Sequence, residues 1–128
     1  MDTFLKHKLG LGDSLNAAVI HDEIVFFDGV KSLRSVDQLG LDLDWLLGFY
    51  EQPTVLNAEI GTLKSSISST GQLWIAWPKK SAKIQSQLSD NLVREIGLSS
   101  GLVDTKVVSL DPTWSALKFV FRLKDRKN

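Results

Sequence analysis

An apolar run, Leu43-Asp44-Trp45-Leu46-Leu47-Gly48-Phe49-Tyr50, is followed by Pro53 and by Leu56, Ile60, Leu63 and Ile67, and then by a second apolar run, Gln72-Leu73-Trp74-Ile75-Ala76-Trp77. The spacings of 4, 3 and 4 in the middle segment mark one face of a helix. Pro53 suits its first turn, and Gly71 reads as its C-terminal stop. Runs without polar alternation belong to strands covered on both faces, as in a parallel sheet. Strand, helix and strand in this order form a βαβ unit with parallel strands and a right-handed crossover. The chain is thereby confined to an α/β fold.

The flanking segments extend that unit. Residues 3–9 can form a short amphipathic helix with Phe4, Leu5 and Leu9 on one side, stopped by Gly10 and Gly12 and expected to cap the sheet edge. Leu15 to Ile20, with its Ala17-Ala18-Val19-Ile20 run, reads as a first central strand. Glu23-Ile24-Val25-Phe26-Phe27 fits either a second strand or a helical turn before Asp28-Gly29; the helical turn, followed by a strand near Leu33 to Val36, is preferred. Beyond the central unit, Ile84, Leu88, Leu92 and Ile96 recur every four residues, predicting a second crossover helix that Ser89 or Asp90 can cap. Residues 102–110 and 114–123 read as two antiparallel strands joined by Asp111-Pro112-Thr113. The expected architecture is a mostly parallel, Rossmann-like three-layer sandwich with an antiparallel C-terminal strand.

A length of 128 residues at 43% hydrophobic supports one domain, residues 1–128. The 15 basic and 15 acidic residues cancel, which excludes binding of nucleic acid or an anionic membrane by bulk charge. The cancellation hides a division. Residues 1–64 carry 5 Lys/Arg against 10 Asp/Glu, and residues 65–128 carry 10 against 5. The absence of cysteine excludes disulfides and thiolate chemistry, and together with an N-terminus lacking a signal-peptide core it leads to the expectation of a cytoplasmic protein.

Ligands of such sheets bind beyond the carboxyl ends of the strands. That edge collects His21-Asp22, Tyr50-Glu51, Trp77-Pro78-Lys79-Lys80-Ser81, Asp111 and Trp114-Ser115. The candidate ligand-binding set is Trp77, Lys79, Lys80, Ser81, Asp111, Trp114 and Ser115. Lysines before a serine that can begin a helix suit an anion, while a solvated turn with a lysine paired to Asp111 or Glu51 is the plain alternative. Trp77 and Trp114 read first as core or edge cover, and Arg94 as the partner of Asp90 one helical turn back. His21 lacks a second histidine at this edge, so no metal site is expected, and Ser81 and Ser115 lack triad partners.

Two resemblances rest on these residues. The order of elements, with a helix closed by Gly71 and a strand ending in Trp77-Pro78, is similar to a class I S-adenosylmethionine-dependent methyltransferase domain with parts missing. That resemblance implies a last strand inserted between its two predecessors, setting Trp114 beside Trp77. It also implies a glycine-rich turn after the first strand, yet no glycine lies between Gly12 and Gly29, and Asp37 is a weak candidate for holding a ribose. Second, Leu73-Trp74-Ile75-Ala76-Trp77-Pro78-Lys79-Lys80-Ser81, Asn91-Leu92-Val93-Arg94-Glu95, Gly101-Leu102-Val103-Asp104-Thr105-Lys106-Val107, Asp111, Trp114-Ser115 and Leu117-Lys118-Phe119-Val120 resemble a bacterial family filed as domain of unknown function 3052. The likeness covers residues 73–122 and is positional before them. His21-Asp22-Glu23-Ile24 departs from the family's Pro-Glu-Gly-Phe-like turn. The resemblance implies no activity.

The reading that follows is a small bacterial binding module, without catalysis and without a cofactor, whose partner is an anionic small molecule or a protein and whose oligomeric state is open. The alternatives are an enzyme using a nucleotide or S-adenosylmethionine-like cofactor in a reduced pocket, and an oligomerising scaffold.

Overall fold

The computed structural model describes residues 3–13, 15–24 and 30–126. Its centre is a six-stranded sheet of β1 (Ala17–Ile20), β2 (Lys31–Leu33), β3 (Leu43–Phe49), β4 (Ile67–Pro78), β5 (Leu102–Ser109) and β6 (Trp114–Phe121), in the spatial order β2-β1-β3-β4-β6-β5. β2, β1, β3 and β4 run parallel, and β6 is antiparallel to both β4 and β5. The anticipated βαβ unit is β3, helix α2 (Pro53–Ser66) and β4. The second strand lies at Lys31–Leu33 and is followed by a 3-10 turn, Val36–Gln38. The choice between strand and helix at residues 23–27 falls largely on residues outside those described.

Each face of the sheet has its own core. One is formed by Leu46, Leu73, Ile75 and Phe119 against Leu56 and Leu63 of α2 and Val93 and Ile96 of α3 (Asp90–Ser99). The other gathers Trp45, Leu47, Trp74 and Ala116 under Leu9 and Leu11, which follow α1 (Thr3–Lys8). Full burial of such side chains contributes about 1.5–3 kcal/mol each. The third layer is therefore made of α1 and connecting chain. Leu9 is fully buried and accepts a 2.8 Å hydrogen bond at its carbonyl from Trp45 Nε1, while Phe4, expected on the same apolar side, is 65% exposed.

Three boundaries differ from the sequence reading. α2 stops at Ser66, and Ile67 opens β4, with Gly71 inside the strand near a register shift. Ser65 and Ser66 turn their hydroxyls back to the carbonyls of Gly61 and Thr62, a local bond that weakens the case for continuing the helix, and β-branched Ile67 follows. A β-carbon on Gly71 would stand 2.7 Å from the Leu43 carbonyl oxygen, so this glycine serves strand contact rather than helix termination. The spacing that starts at Ile84 is helical only from Asp90, where α3 begins with the expected Ser89 cap, its hydroxyl accepting the Leu92 amide at 3.2 Å. Ile84 and Leu88 precede it and pack on opposite faces of the sheet, because their segment crosses the edge instead of coiling. The last strand ends at Phe121, leaving Leu123 79% exposed.

Candidate functional site

The segment after β4 is held at both ends. Lys79 donates its amide to the Thr113 carbonyl at 2.7 Å and its Nζ to Ser109 Oγ at 2.5 Å, while the Ala82 amide closes a turn on the Lys79 carbonyl. Seven residues along, Ser86 Oγ donates to the Glu51 carbonyl at 2.5 Å and accepts from the Leu88 amide. Between these anchors the chain walls a cleft of about 580 Å³ that also takes in Gln52 at the start of α2. Lys79, Lys80 and Lys83 line it with Gln52, Gln85 and Gln87, and no lining residue is acidic. Among the described residues these three lysines form no salt bridge. Ser81 is exposed on the same segment but does not line the cleft.

The other candidate residues divide by sheet face. β6 does insert between β4 and β5, and the register pairs Trp77 with Ser115 and Pro78 with Trp114. Side chains alternate along a strand, so Trp77 and Ser115 share one face while Trp114 points to the other. The two tryptophans thus belong to different cores, 5% and 3% exposed, and Trp114 meets the Phe49 ring edge-on with centroids 5.1 Å apart. Both are packing residues in this arrangement. Ser115 also pairs with Ser109, which brings Trp77, Ser115 and the Lys79–Ser109 contact to one side of the edge. Asp111 uses Oδ1 to accept the amides of Thr113 at 2.8 Å and Trp114 at 2.7 Å, shaping the turn. Arg94 bridges Asp90 at 2.5 Å and Asp104 at 2.9 Å; the Asp104 contact raises its pKa most.

A second cluster lies where the chain reverses direction across the sheet, between β1 and β3. His21 Nε2 and Glu59 Oε1 are 2.9 Å apart, and the Tyr50 hydroxyl donates to the same oxygen at 2.7 Å. The imidazole stands edge-on to the Tyr50 ring, centroids 5.4 Å apart. His21 has a left-handed backbone, φ 57°, and its amide donates to the Leu33 carbonyl of β2 at 3.2 Å. Gly48 makes room for the phenol: a β-carbon there would come within 2.7 Å of Tyr50 Cε2. Burial, then the neighbouring Glu59 carboxylate, pushes the Tyr50 pKa far above its ordinary value. The sequence set His21 and Tyr50 at one edge but missed Glu59. The available signal was its place between Leu56 and Ile60, flanking the buried stripe of the helix that starts at this edge.

The fold matches known structures. The magnesium protoporphyrin IX methyltransferase ChlM from Synechocystis PCC 6803 with bound SAH superposes with a TM-score of 0.56 at 15% identity, over 77% of this chain and 55% of that one. LepI in complex with SAH and a substrate analogue gives 0.58 at 8% identity over 93% and 39%, and the mitomycin 7-O-methyltransferase MmcR 0.58 at 8% over 73% and 34%. The chain has a methyltransferase-like Rossmann fold. It spans about half or less of the length of these neighbours. No family model matches it, and no curated protein matches it in sequence.

The residues after β1 do not fit an S-adenosyl cofactor held in the manner of a glycine-rich turn. Such a turn lets backbone approach the ligand. Here the first position after the strand is His21, whose side chain turns to Glu59 and Tyr50 at the switch point. The lysine cleft, by contrast, can neutralise negative charge without displacing an internal ion pair. Among the described residues no group of His, Asp and Glu is arranged to hold a metal ion, and no helix is long and apolar enough to cross a membrane.

Proposed function

We propose that the protein is a bacterial cytoplasmic module that binds an anionic small molecule in the cleft of Lys79, Lys80 and Lys83. The observation that carries this reading is the lining itself: three lysines and three glutamines within one concave surface, and no carboxylate among the lining residues. The cleft's volume falls in the range of small-molecule sites. Lys79 is held by Ser109 and the backbone of Thr113, so one cation is positioned before a ligand arrives. The resemblance of residues 73–122 to the family filed as domain of unknown function 3052 takes in both Lys79 and Lys80, which supports a shared role for the two lysines.

Calorimetric titration with inorganic phosphate, pyrophosphate and citrate tests the reading. At least one of these anions is expected to bind in low salt, with affinity falling as salt rises. The variant Lys79→Glu/Lys80→Glu/Lys83→Glu is expected to fold and to lose that binding. Unchanged binding in the folded triple variant, or no binding of any of the three anions to the wild type, would overturn it. The reading of an enzyme with a nucleotide or S-adenosyl cofactor is supported by the shape of the neighbours' folds and opposed by the turn at His21.

A further inference from the structure

The three groups at the switch point differ in what they can do with a proton. A carboxylate oxygen only accepts, and Glu59 Oε1 faces both the Tyr50 hydroxyl and His21 Nε2. Tyr50 commits its single O–H to that oxygen, and its raised pKa keeps the hydrogen in place. Nε2 must therefore carry its hydrogen toward Glu59. In a neutral imidazole so oriented, the free lone pair is on Nδ1. Among the described residues Nδ1 has no hydrogen-bond partner, and the His21 side chain keeps 27% of its surface open. The backbone bond to Leu33 fixes the main chain of His21, and the edge contact with Tyr50 bounds the ring on a further side.

We propose that His21 is a general base for a hydroxyl group, bound water included, at the crevice between β1 and β3. Glu59 and Tyr50 are its positioning residues. Glu59 sets the tautomer and lies against the imidazolium once it forms; Tyr50 fixes the carboxylate. With an activated ester as the electrophile, the hydroxyl oxygen bonds to the acyl carbon as its proton passes to Nδ1. The alcohol leaving group departs with the electron pair of the breaking C–O bond, and the proton on Nδ1 returns to solvent or to that group. Among the described residues, the charged group in contact with the imidazole is Glu59 from α2. This centre is separate from the lysine cleft and stands or falls independently of it.

The chain has only two histidines, His7 and His21, so imidazole reactivity can be assigned cleanly. Hydrolysis of p-nitrophenyl acetate by the full chain is the probe. His21→Asn, which tolerates a left-handed backbone, is expected to lower the rate at least about ten-fold, and His7→Gln to leave it unchanged. Glu59→Gln is expected to lower the rate with folding retained, because an amide no longer fixes one tautomer. A folded His21→Asn variant as active as wild type would overturn the proposal. If that variant does not fold, nitrogen NMR of the wild-type imidazole decides. Neutral His21 with its hydrogen on Nε2 supports the proposal, and hydrogen on Nδ1 refutes it.

Discussion

Gly97 of α3 lies so close to Phe119 of β6 that a β-carbon on the glycine would stand 2.0 Å from the ring's Cε1. The ring is fully buried in the core shared by α2 and α3, so it has little room to yield. Two effects oppose each other in Gly97→Ala. Helix propensity favours alanine by about 1 kcal/mol, whereas overpacking costs about 1–3 kcal/mol and occasionally more. At this separation the clash should win, and we expect a net loss of about 2 kcal/mol. Urea denaturation of Gly97→Ala, Phe119→Leu and the double variant checks it. The double variant should be more stable than the two single losses summed, and additive losses would show that the ring is not the obstacle.

Trp45 ties the N-terminal segment to the sheet. Its Nε1 donates to the Leu9 carbonyl at 2.8 Å, and both residues are fully buried. Trp45→Phe keeps most of the apolar body but leaves that carbonyl unsatisfied, which costs about 1–3 kcal/mol. Hydrogen exchange should also report faster exchange at Leu9 and Leu11, whose amides bond back into α1. A destabilised variant with unchanged exchange there would separate the tether from simple loss of volume.

Apolar continuity in β3 and β4 and the helical spacing of Leu56, Ile60 and Leu63 made the parallel unit readable, because burial on both faces leaves a strong local pattern. The insertion of β6 followed from resemblance, and the register confirms it at Pro78 and Trp114. Other features depended on partners far along the chain. Ile84 and Leu88 have helical spacing only because a crossing segment feeds one side chain to each core. Lys79 and Lys80, singled out at the expected edge, do line a cleft there, but Lys83, just before the helical spacing that begins at Ile84, was not singled out. Glu59 was hidden because its role depends on His21, 38 residues earlier.

Ser86 joins the cleft to the end of β3. It donates to the Glu51 carbonyl at 2.5 Å and accepts from Leu88. Ser86→Ala removes both bonds without adding bulk, and a loss of about 1 kcal/mol is expected. The more specific consequence is local: residues 79–88 should exchange faster while α2 stays protected. If pyrophosphate binds the wild type, its affinity should fall in the variant because the cleft wall must then be ordered on binding. Equal exchange in the two proteins would show that Lys79 and Leu88 hold the segment without the serine.

Tyr50 gives the fold a sensitivity to alkali that can be read directly, since it is the only tyrosine in the chain. Its phenol pKa in the folded state is raised, by burial and then by Glu59, above the usual value of 10.0. Below pH 10 the phenol is protonated in folded and unfolded chains alike, and the stability tied to it is fully present. Above that pH the unfolded chain ionises while the folded one does not, so unfolding is favoured by up to about 1.4 kcal/mol per pH unit. We expect wild-type stability to fall with this extra slope above pH 10, and Tyr50→Phe to lack it. The near-ultraviolet phenolate band of the wild type should appear together with loss of helical circular dichroism. A phenolate that forms around pH 10 while the fold stays intact would show that Tyr50 is open to solvent and that the buried contact to Glu59 does not persist in solution.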